Sequence, residues 1–475
     1  MIRRWAVTAV LAATIGAAGC ATNPVTGRTE LALVSESQEI AMGQEAAGQI
    51  EASIGVVDNE ALNAWVQQMG ESLARDSERP NLPWRFRVLD DPTPNAFALP
   101  GGFIYVTRGM MSLMDSEAEL AGVIGHEIGH VTARHSVQQI SRQQLGQIGL
   151  VVGMVLVPEL AQFGDLAGTG LGLLFLKYGR DAERQADDLG LRYALADNYD
   201  VRQMPDVFAS LERTSEMAGN SPLPSFLSTH PEPGERIERI NAALAETQVD
   251  WSRTRVGDEA YFRRIEGMVY GDNPRHGFFR GSEFLHPDLR FRLTFPQGFN
   301  MQNLTAAVQG VSSRNDAAVQ LTLAQGSPEQ AAQTFASQQG IRTGQPSRET
   351  INGFAAVVLP FEAQTQGGNV AGYASWIQDG QYTYQLMGYA AAQSIGSYDA
   401  PFRSMIRSYA RLTDPDALNV QPRTIDAVQL PEAMTFSQFL QRYSSPIPTE
   451  ESALINQISS ATQRLPAGTW LKRVR

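Results

Sequence analysis

The sequence predicts an α+β protein in three parts: a mainly helical first domain with a small sheet, an α+β domain on an antiparallel sheet, and a small C-terminal unit. Three observations lead to this reading. Leu120, Val123, Ile124 and Ile128 recur at helical spacing, while Trp84–Leu89 alternates apolar and charged residues and Phe103–Thr107 is β-branched and aromatic, so strands precede a helix. From about Gly267 the pattern turns to successive strands with two helices among them. Thr413-Asp414-Pro415-Asp416 then reads as a linker. The expected boundaries are a leader over 1–19 and domains over 20–250, 266–415 and 424–475.

The leader opens with Met1-Ile2-Arg3-Arg4 and continues apolar or small from Trp5 to Gly19, the form of a secretory signal and too short to span a bilayer. It ends at Ala17-Ala18-Gly19-Cys20, and Cys20 is the single cysteine, which excludes an internal disulfide. This junction resembles a bacterial lipobox, although Ala17 stands where Leu is usual. The resemblance implies cleavage before Cys20, a lipid on that cysteine and, with Ala21 following, a periplasmic protein anchored to the outer membrane. Removing the leader takes two of the 38 basic residues and none of the 50 acidic ones, moving the formal net charge from −12 to −14. Such an acidic surface argues against nucleic acid as a partner.

In the first domain, Asp115-Ser116-Glu117-Ala118-Glu119 supplies a helix N-cap with a capping box from Ser116 to Glu119. The helix it starts carries His126-Glu127-Ile128-Gly129-His130, the HExxH spacing of a zinc-peptidase helix. At about 3.6 residues per turn, His126 and His130 project from one face and can share a metal, while Glu127 lies roughly 100° round, beside an activated water. The chain has six histidines in all, so this spacing is specific. The strand over Phe103–Thr107 runs up to this helix; in zinc peptidases such a strand can pair with an extended peptide by β-augmentation, and an ordinary edge strand is the alternative.

Zinc needs a third protein ligand and an open position. The metzincin continuation is absent, with Ala133 and Ser136 where its Gly and His would stand. Glu183 is the next candidate, on a helical stretch whose small Ala182, Ala186 and Gly190 permit close approach of another helix. Asp187, one turn on, is placed to accept a hydrogen bond from a ligand imidazole. On these residues alone, a solvated charged face remains the alternative for both.

Over residues 22–245 the chain resembles the M48 family of zinc metallopeptidases. The resemblance rests on Asn23-Pro24-Val25-Thr26-Gly27, Asn95-Ala96-Phe97-Ala98-Leu99-Pro100-Gly101-Gly102, the HExxH helix, Glu183 with Asp187, and Thr229-His230-Pro231 followed by Glu235-Arg236-Ile237. It implies a zincin-type fold, one zinc held by His126, His130 and Glu183, Glu127 as general base, and His230 and Arg236 stabilising the oxyanion. It also implies that His230 can gate the site, since in some relatives the corresponding histidine takes the open metal position at rest. The implied function is an endopeptidase of the periplasm acting on misfolded or misassembled envelope proteins. The alternatives are an assembly factor that binds unfolded strands with little turnover, or a peptidoglycan-associated scaffold. The intact Glu127 favours the enzyme.

Two apolar runs, Ile148–Val157 and Leu166–Leu176, are separated by Pro158, Glu159, Gln162 and Asp165 and fall short of about 18 residues, so they read as a hairpin or helix pair and not as membrane spans. Ser221-Pro222-Leu223-Pro224 marks a loop before His230, and the helix over Arg236–Glu246 closes the domain. In the second domain, strands are expected over 289–295, 317–323, 353–361, 370–378 and 381–390, with helices over 328–338 and 398–409. The order of elements loosely resembles the PsbP/Mog1-like fold. His276 and His286 lie in loops and no metal-ligand cluster or activated nucleophile stands out, so this domain reads as a substrate-presenting or partner-binding module. Residues 424–475 resemble a degenerate LysM module through Thr435–Phe439 and Leu465–Leu471, which implies N-acetylglucosamine polymers as a ligand; a structural cap is the alternative.

Overall fold

A computed structural model describes residues 20–150, 177–218, 225–231, 233–304, 307–365 and 368–475. The leader, the apolar runs from residue 151 to 176 and the Ser221–Pro224 loop lie outside the described residues. The chain divides into two compact units, Met1–Asp272 with Arg423–Arg475, and Asn273–Pro422.

The first unit takes shape around helices α1 (Glu36–Ile54) and α2 (Glu60–Arg75), strands β1 (Arg85–Leu89), β2 (Ala96–Leu99) and β3 (Phe103–Thr107), and helices α3 (Glu117–Thr132), α4 (His135–Leu150), α5 (Arg180–Ala196), α6 (Met204–Ala218) and α7 (Pro233–Glu246). Helix α3 starts where its cap predicts, with the Ser116 hydroxyl accepting from the Glu119 N–H. Every residue from Ala118 to Thr132 is buried. Leu120, Ile124 and Ile128 pack into a core shared with Met111, Tyr193 and Phe208, and burying each such side chain contributes about 1.5–3 kcal/mol. The active helix is thus an internal strut, with no solvated face.

One expectation about the sheet is corrected. Its order is β1-β3-β2, with β3 parallel to β1 and antiparallel to β2. Strand β3, expected to be available to a peptide, has a neighbour on each side, and the outer strands are Arg85–Leu89 and Ala96–Leu99. The reason is the turn at Gly101 and Gly102, whose positive φ of 80° and 102° folds the preceding four residues back along β3. A side chain at Gly101 would put Cβ 2.6 Å from the Ile40 Cα of α1.

The second correction concerns residues 424–475, which belong to the first compact unit. Strands Ile425–Gln429 and Trp470–Val474 pair antiparallel, and Ile425, Ile455 and Val474 enter the same core as Leu113 and Met114. Lys472 is fully buried: its ammonium lies 2.7 Å from the Asp115 carboxylate and donates to the carbonyls of Ser112 and Met114 at 2.9 and 2.6 Å. Gln457 donates to the Leu113 carbonyl at 3.0 Å and to Glu119 at 2.9 Å. From sequence, Lys472 in a run of LKRVR looks like solvated charge; its partners sit some 360 positions earlier and are invisible to local pattern.

Burial, with Asp115 beside it, raises the Glu119 carboxyl well above its ordinary 4.5. The folded state therefore binds this proton more tightly than the unfolded chain, so its contribution to stability is full below about 4.5 and is lost as pH climbs through the raised value. Glu119→Gln is expected to shrink the fall in urea midpoint between about pH 5 and about pH 8, leaving the protein up to about 1 kcal/mol more stable at the higher pH.

The second unit is an eight-stranded antiparallel sheet with a smaller four-stranded one. Its long strands Phe354–Thr365, Gly368–Asp379 and Tyr382–Ala391 form a meander. Helix Ile395–Ser408 covers one face through Phe402 and Met405, and helix Pro328–Ala336 packs Phe335 against Trp376 and Phe361 on the other. The expected strands and both helices fall within a few residues of their observed bounds.

Candidate metal centre

Helices α3 and α5 cross at glycines, and this places the chemistry. A Cβ on Gly190 would stand 2.8 Å from the His126 backbone nitrogen, and one on Gly125 would stand 3.0 Å from the Gly190 carbonyl oxygen. Gly129 faces the Ala186 backbone at 3.1 Å in the same sense. With no side chains between them the two backbones come close enough for Glu183 of α5 to reach the imidazoles of α3.

The structure brings His126, His130, Glu183 and His230 into one buried group. The His126 and His130 Nε2 atoms are 3.0 Å apart. Glu183 Oε2 lies 3.6 Å from His126 Nε2, and Glu183 Oε1 lies 3.6 Å from His130 Nε2. His230 Nδ1 is 3.0 Å from Glu183 Oε1 and 3.4 Å from His126 Nε2. An ion bound tetrahedrally at about 2.0–2.1 Å holds its donors about 3.3 Å apart, so these four side chains, whose ligand atoms all lie within 4.8 Å of one another, could hold one divalent metal ion. A cavity of about 20 Å³ beside them, lined by Arg180, Glu183, Pro231, Glu235 and Arg236 among others, has room for about one water.

Glu127 is fully buried, and neither carboxylate oxygen has a hydrogen-bond partner among the described residues. The His230 ring lies nearby, with Nε2 3.7 Å from Oε1. Burial raises the Glu127 carboxyl above its ordinary value, as suits a group that must take up and release a proton. A buried carboxylate without donors is costly in a purely structural helix, and a polar ligand at the metal centre is the compensation its position calls for.

Asp187 stands behind the donors, with Oδ1 3.0 Å from His126 Nδ1. Arg236, expected at the oxyanion, approaches from the same side. Its Nη2 donates to Asp187 at 2.6 Å and its Nη1 lies 3.1 Å from Glu183, while Phe208 covers the guanidinium at 4.1 Å. Burial works against ionising these two carboxylates, but Arg236 holds Asp187 far below the ordinary range, and His230 with Arg236 holds Glu183 below it. For His230 the balance runs the other way: burial opposes its charge, and Glu183 raises its pKa overall.

Three residues that sequence reasoning passed over complete the surroundings. Tyr178 stacks on His130 with centroids 4.0 Å apart, its hydroxyl 2.8 Å from that of Ser136. Phe226 stacks on His230 at 4.4 Å. His135 places Nδ1 2.9 Å from His130 Nδ1, and burial lowers its pKa to about 4. On a continuous helix His135 would point well away from His130; instead α3 ends at the Ala133 C-cap and Arg134 takes a φ of 58°, which turns His135 back. The available signal was a third histidine five places after the second.

Residues 60–244 match the family model for peptidase family M48. The chain is 29% identical over 224 residues to the β-barrel assembly-enhancing protease of Yersinia pestis, covering 45% of each. It is 28% identical over 227 residues to the protein of that name in Escherichia coli K12, covering 46% of each. Mitochondrial metalloendopeptidase OMA1 of Arabidopsis thaliana is 33% identical over 186 residues, 38% of this chain and 36% of that one. The chain thus matches less than half the length of these relatives. Among solved structures, cyanobacterial PsbP from Synechocystis sp. PCC 6803 aligns with 28% of this chain and 94% of its own at 11% identity and a TM-score of 0.24.

Proposed function

We propose that the chain, whose residues 60–244 match peptidase family M48, is a zinc-dependent endopeptidase of the bacterial periplasm that hydrolyses misfolded or misassembled envelope proteins. The observation that carries the chemistry is the group of four buried side chains, His126, His130, Glu183 and His230, whose ligand atoms all lie within 4.8 Å of one another, beside a carboxylate, Glu127, with neither oxygen hydrogen-bonded among the described residues. Two imidazoles and a carboxylate in tetrahedral reach favour zinc over octahedral oxygen-loving ions. When bound, zinc would supply Lewis-acid polarisation of a carbonyl and would make water more acidic near neutral pH.

Each protein group then has a task. His126, His130 and Glu183 bind the ion, and Asp187 fixes the His126 tautomer by accepting its Nδ1 proton. Arg236 compensates the charge of Glu183 and Asp187 and keeps both pointed at the site. Glu127 accepts a proton from the attacking water and returns it to the leaving amine. His230 stands beside the same ligand atoms, with Nδ1 3.4 Å from His126 Nε2 and 3.0 Å from Glu183 Oε1, so we assign it the gate: it would hold the ion at rest and make room for substrate by swinging away. A substrate strand would then pair with the outer edge of Ala96–Leu99, which has no second strand partner among the described residues.

The substrate class is read from the names of the β-barrel assembly-enhancing relatives. The location is read from the leader and lipobox, with Cys20 as the lipid anchor to the outer membrane. Among the described residues no helix is long and apolar enough to cross a membrane. The closed donor set also favours a second reading, an assembly factor that holds unfolded chains and cuts rarely. Casein digestion by the purified zinc-loaded protein separates them: hydrolysis that a chelator abolishes supports the peptidase. His230→Ala is expected to raise the casein rate about tenfold by removing the resting competitor, with zinc content unchanged. A large fall in rate at full zinc content would instead make His230 a transition-state donor.

A further inference from the structure

The two imidazoles of the HExxH pair are braced in chemically different ways. His126 turns Nδ1 to a carboxylate, Asp187 Oδ1, at 3.0 Å. His130 turns Nδ1 to another histidine, His135 Nδ1, at 2.9 Å. The far nitrogen of that ring, His135 Nε2, lies 3.0 Å from the side-chain oxygen of Gln185. His135 is 5% exposed and His130 is fully buried, so neither ring can turn to water for an alternative partner.

Proton counting fixes the direction of this chain. His130 can offer Nε2 to a metal only if its single proton is on Nδ1. That proton must then be donated to His135 Nδ1, which must carry the lone pair, so the proton of neutral His135 is on Nε2 and is donated to Gln185 Oε1. Each of the two hydrogen bonds holds one proton and every acceptor is used once. The opposite polarity would place a proton on His130 Nε2 and exclude it as a ligand.

We infer that His135 is a positioning residue for the metal ligand His130, and that His130, His135 and Gln185 form a neutral hydrogen-bonded relay in the place that Asp187 fills for His126. The inference rests on the metal-centre reading above. It gives the relay two duties. It locks His130 in the ligating tautomer, and it ties α3, through the first residue of α4, to the helix α5 that carries Glu183 two positions before Gln185. Because the relay is neutral, the centre gains an oriented ligand without a third buried anion beside Glu183 and Asp187.

The test uses the full chain stripped of metal and titrated with zinc against a chromophoric chelator. His135→Leu removes the acceptor and is expected to weaken zinc binding 10–100-fold, while His135→Asn, whose Oδ1 can take the place of Nδ1, should return to within roughly threefold of wild type. Thermal unfolding of the metal-free proteins checks that both variants fold. A second measurement needs no folded variant: long-range ¹H–¹⁵N correlation of histidine-labelled, zinc-loaded wild type should show His135 protonated at Nε2 and His130 at Nδ1. Wild-type affinity in His135→Leu, or a proton on His135 Nδ1, would overturn the relay while the metal centre stands. Failure of wild type to bind zinc at all would overturn the metal centre and the relay with it.

Discussion

Glu127→Gln is expected to lower casein hydrolysis by about 10²–10⁴-fold, the range that a positioned general base contributes, while the protein keeps its full metal content. The two halves of this result have separate structural causes. Metal content holds because Glu127 donates no atom to the group of His126, His130, Glu183 and His230. Turnover falls because an amide of nearly the same shape cannot accept a proton from water. The substitution should not harm the fold, since among the described residues neither oxygen of Glu127 makes a hydrogen bond that the amide would lose, and the change removes a buried charge. Measured together, zinc content, unfolding midpoint and casein rate therefore isolate the chemical step. Undiminished hydrolysis by the zinc-loaded variant would remove Glu127 from the mechanism.

The largest expected effect on stability lies far from the metal in sequence. Lys472→Met should cost about 3 kcal/mol, the lower part of the range for breaking a buried ion pair by removing one partner, read as a drop in urea midpoint at unchanged slope. Methionine keeps the apolar stem but leaves the Ser112 and Met114 carbonyls and the Asp115 carboxylate without their cation. The lower figure applies because the Asp115 side chain retains 27% exposure, which lets water take over part of the ammonium's role. Adding Asp115→Asn to the variant should recover part of the loss by removing the stranded charge. An unchanged midpoint for Lys472→Met would mean that the last strand contributes only its apolar side chains to this unit.

How much of this was legible in the sequence depended on the range of the interactions. The Ser116 N-cap, the HExxH spacing and the small residues of α5 act within a turn or two, so pattern and chemistry placed them; the reciprocal half of the expected capping box does not form, because the Glu119 carboxylate accepts from the Asp115 N–H. The meander over residues 354–391 was equally readable because alternation and turns are local. Edge and centre in the small sheet were not, since the choice between β2 and β3 follows from a fold-back at Gly101 and Gly102 that alternation does not encode. His135 was hidden by a helix end: counted along an unbroken α3 it points away, and the single left-handed residue Arg134 reverses that. The docking of residues 424–475 was hidden by distance, because a buried lysine and a solvated one look alike until its partners are known. Arg236 was placed at the site by resemblance, yet its bonds to Asp187 and Glu183 belong to the geometry alone.

The first unit is written in two pieces of sequence, with residues 273–422 between them. A ribosome delivers about 5–20 residues per second, so the roughly 350 residues from Asp115 to Lys472 take on the order of 20–70 s to emerge. Throughout that interval the start of the HExxH helix lacks its buried cation and the core lacks Ile425, Ile455 and Val474. The unit that carries the metal ligands therefore cannot close until residues 423–475 are available, whereas residues 273–422 find their partners within one continuous stretch of chain.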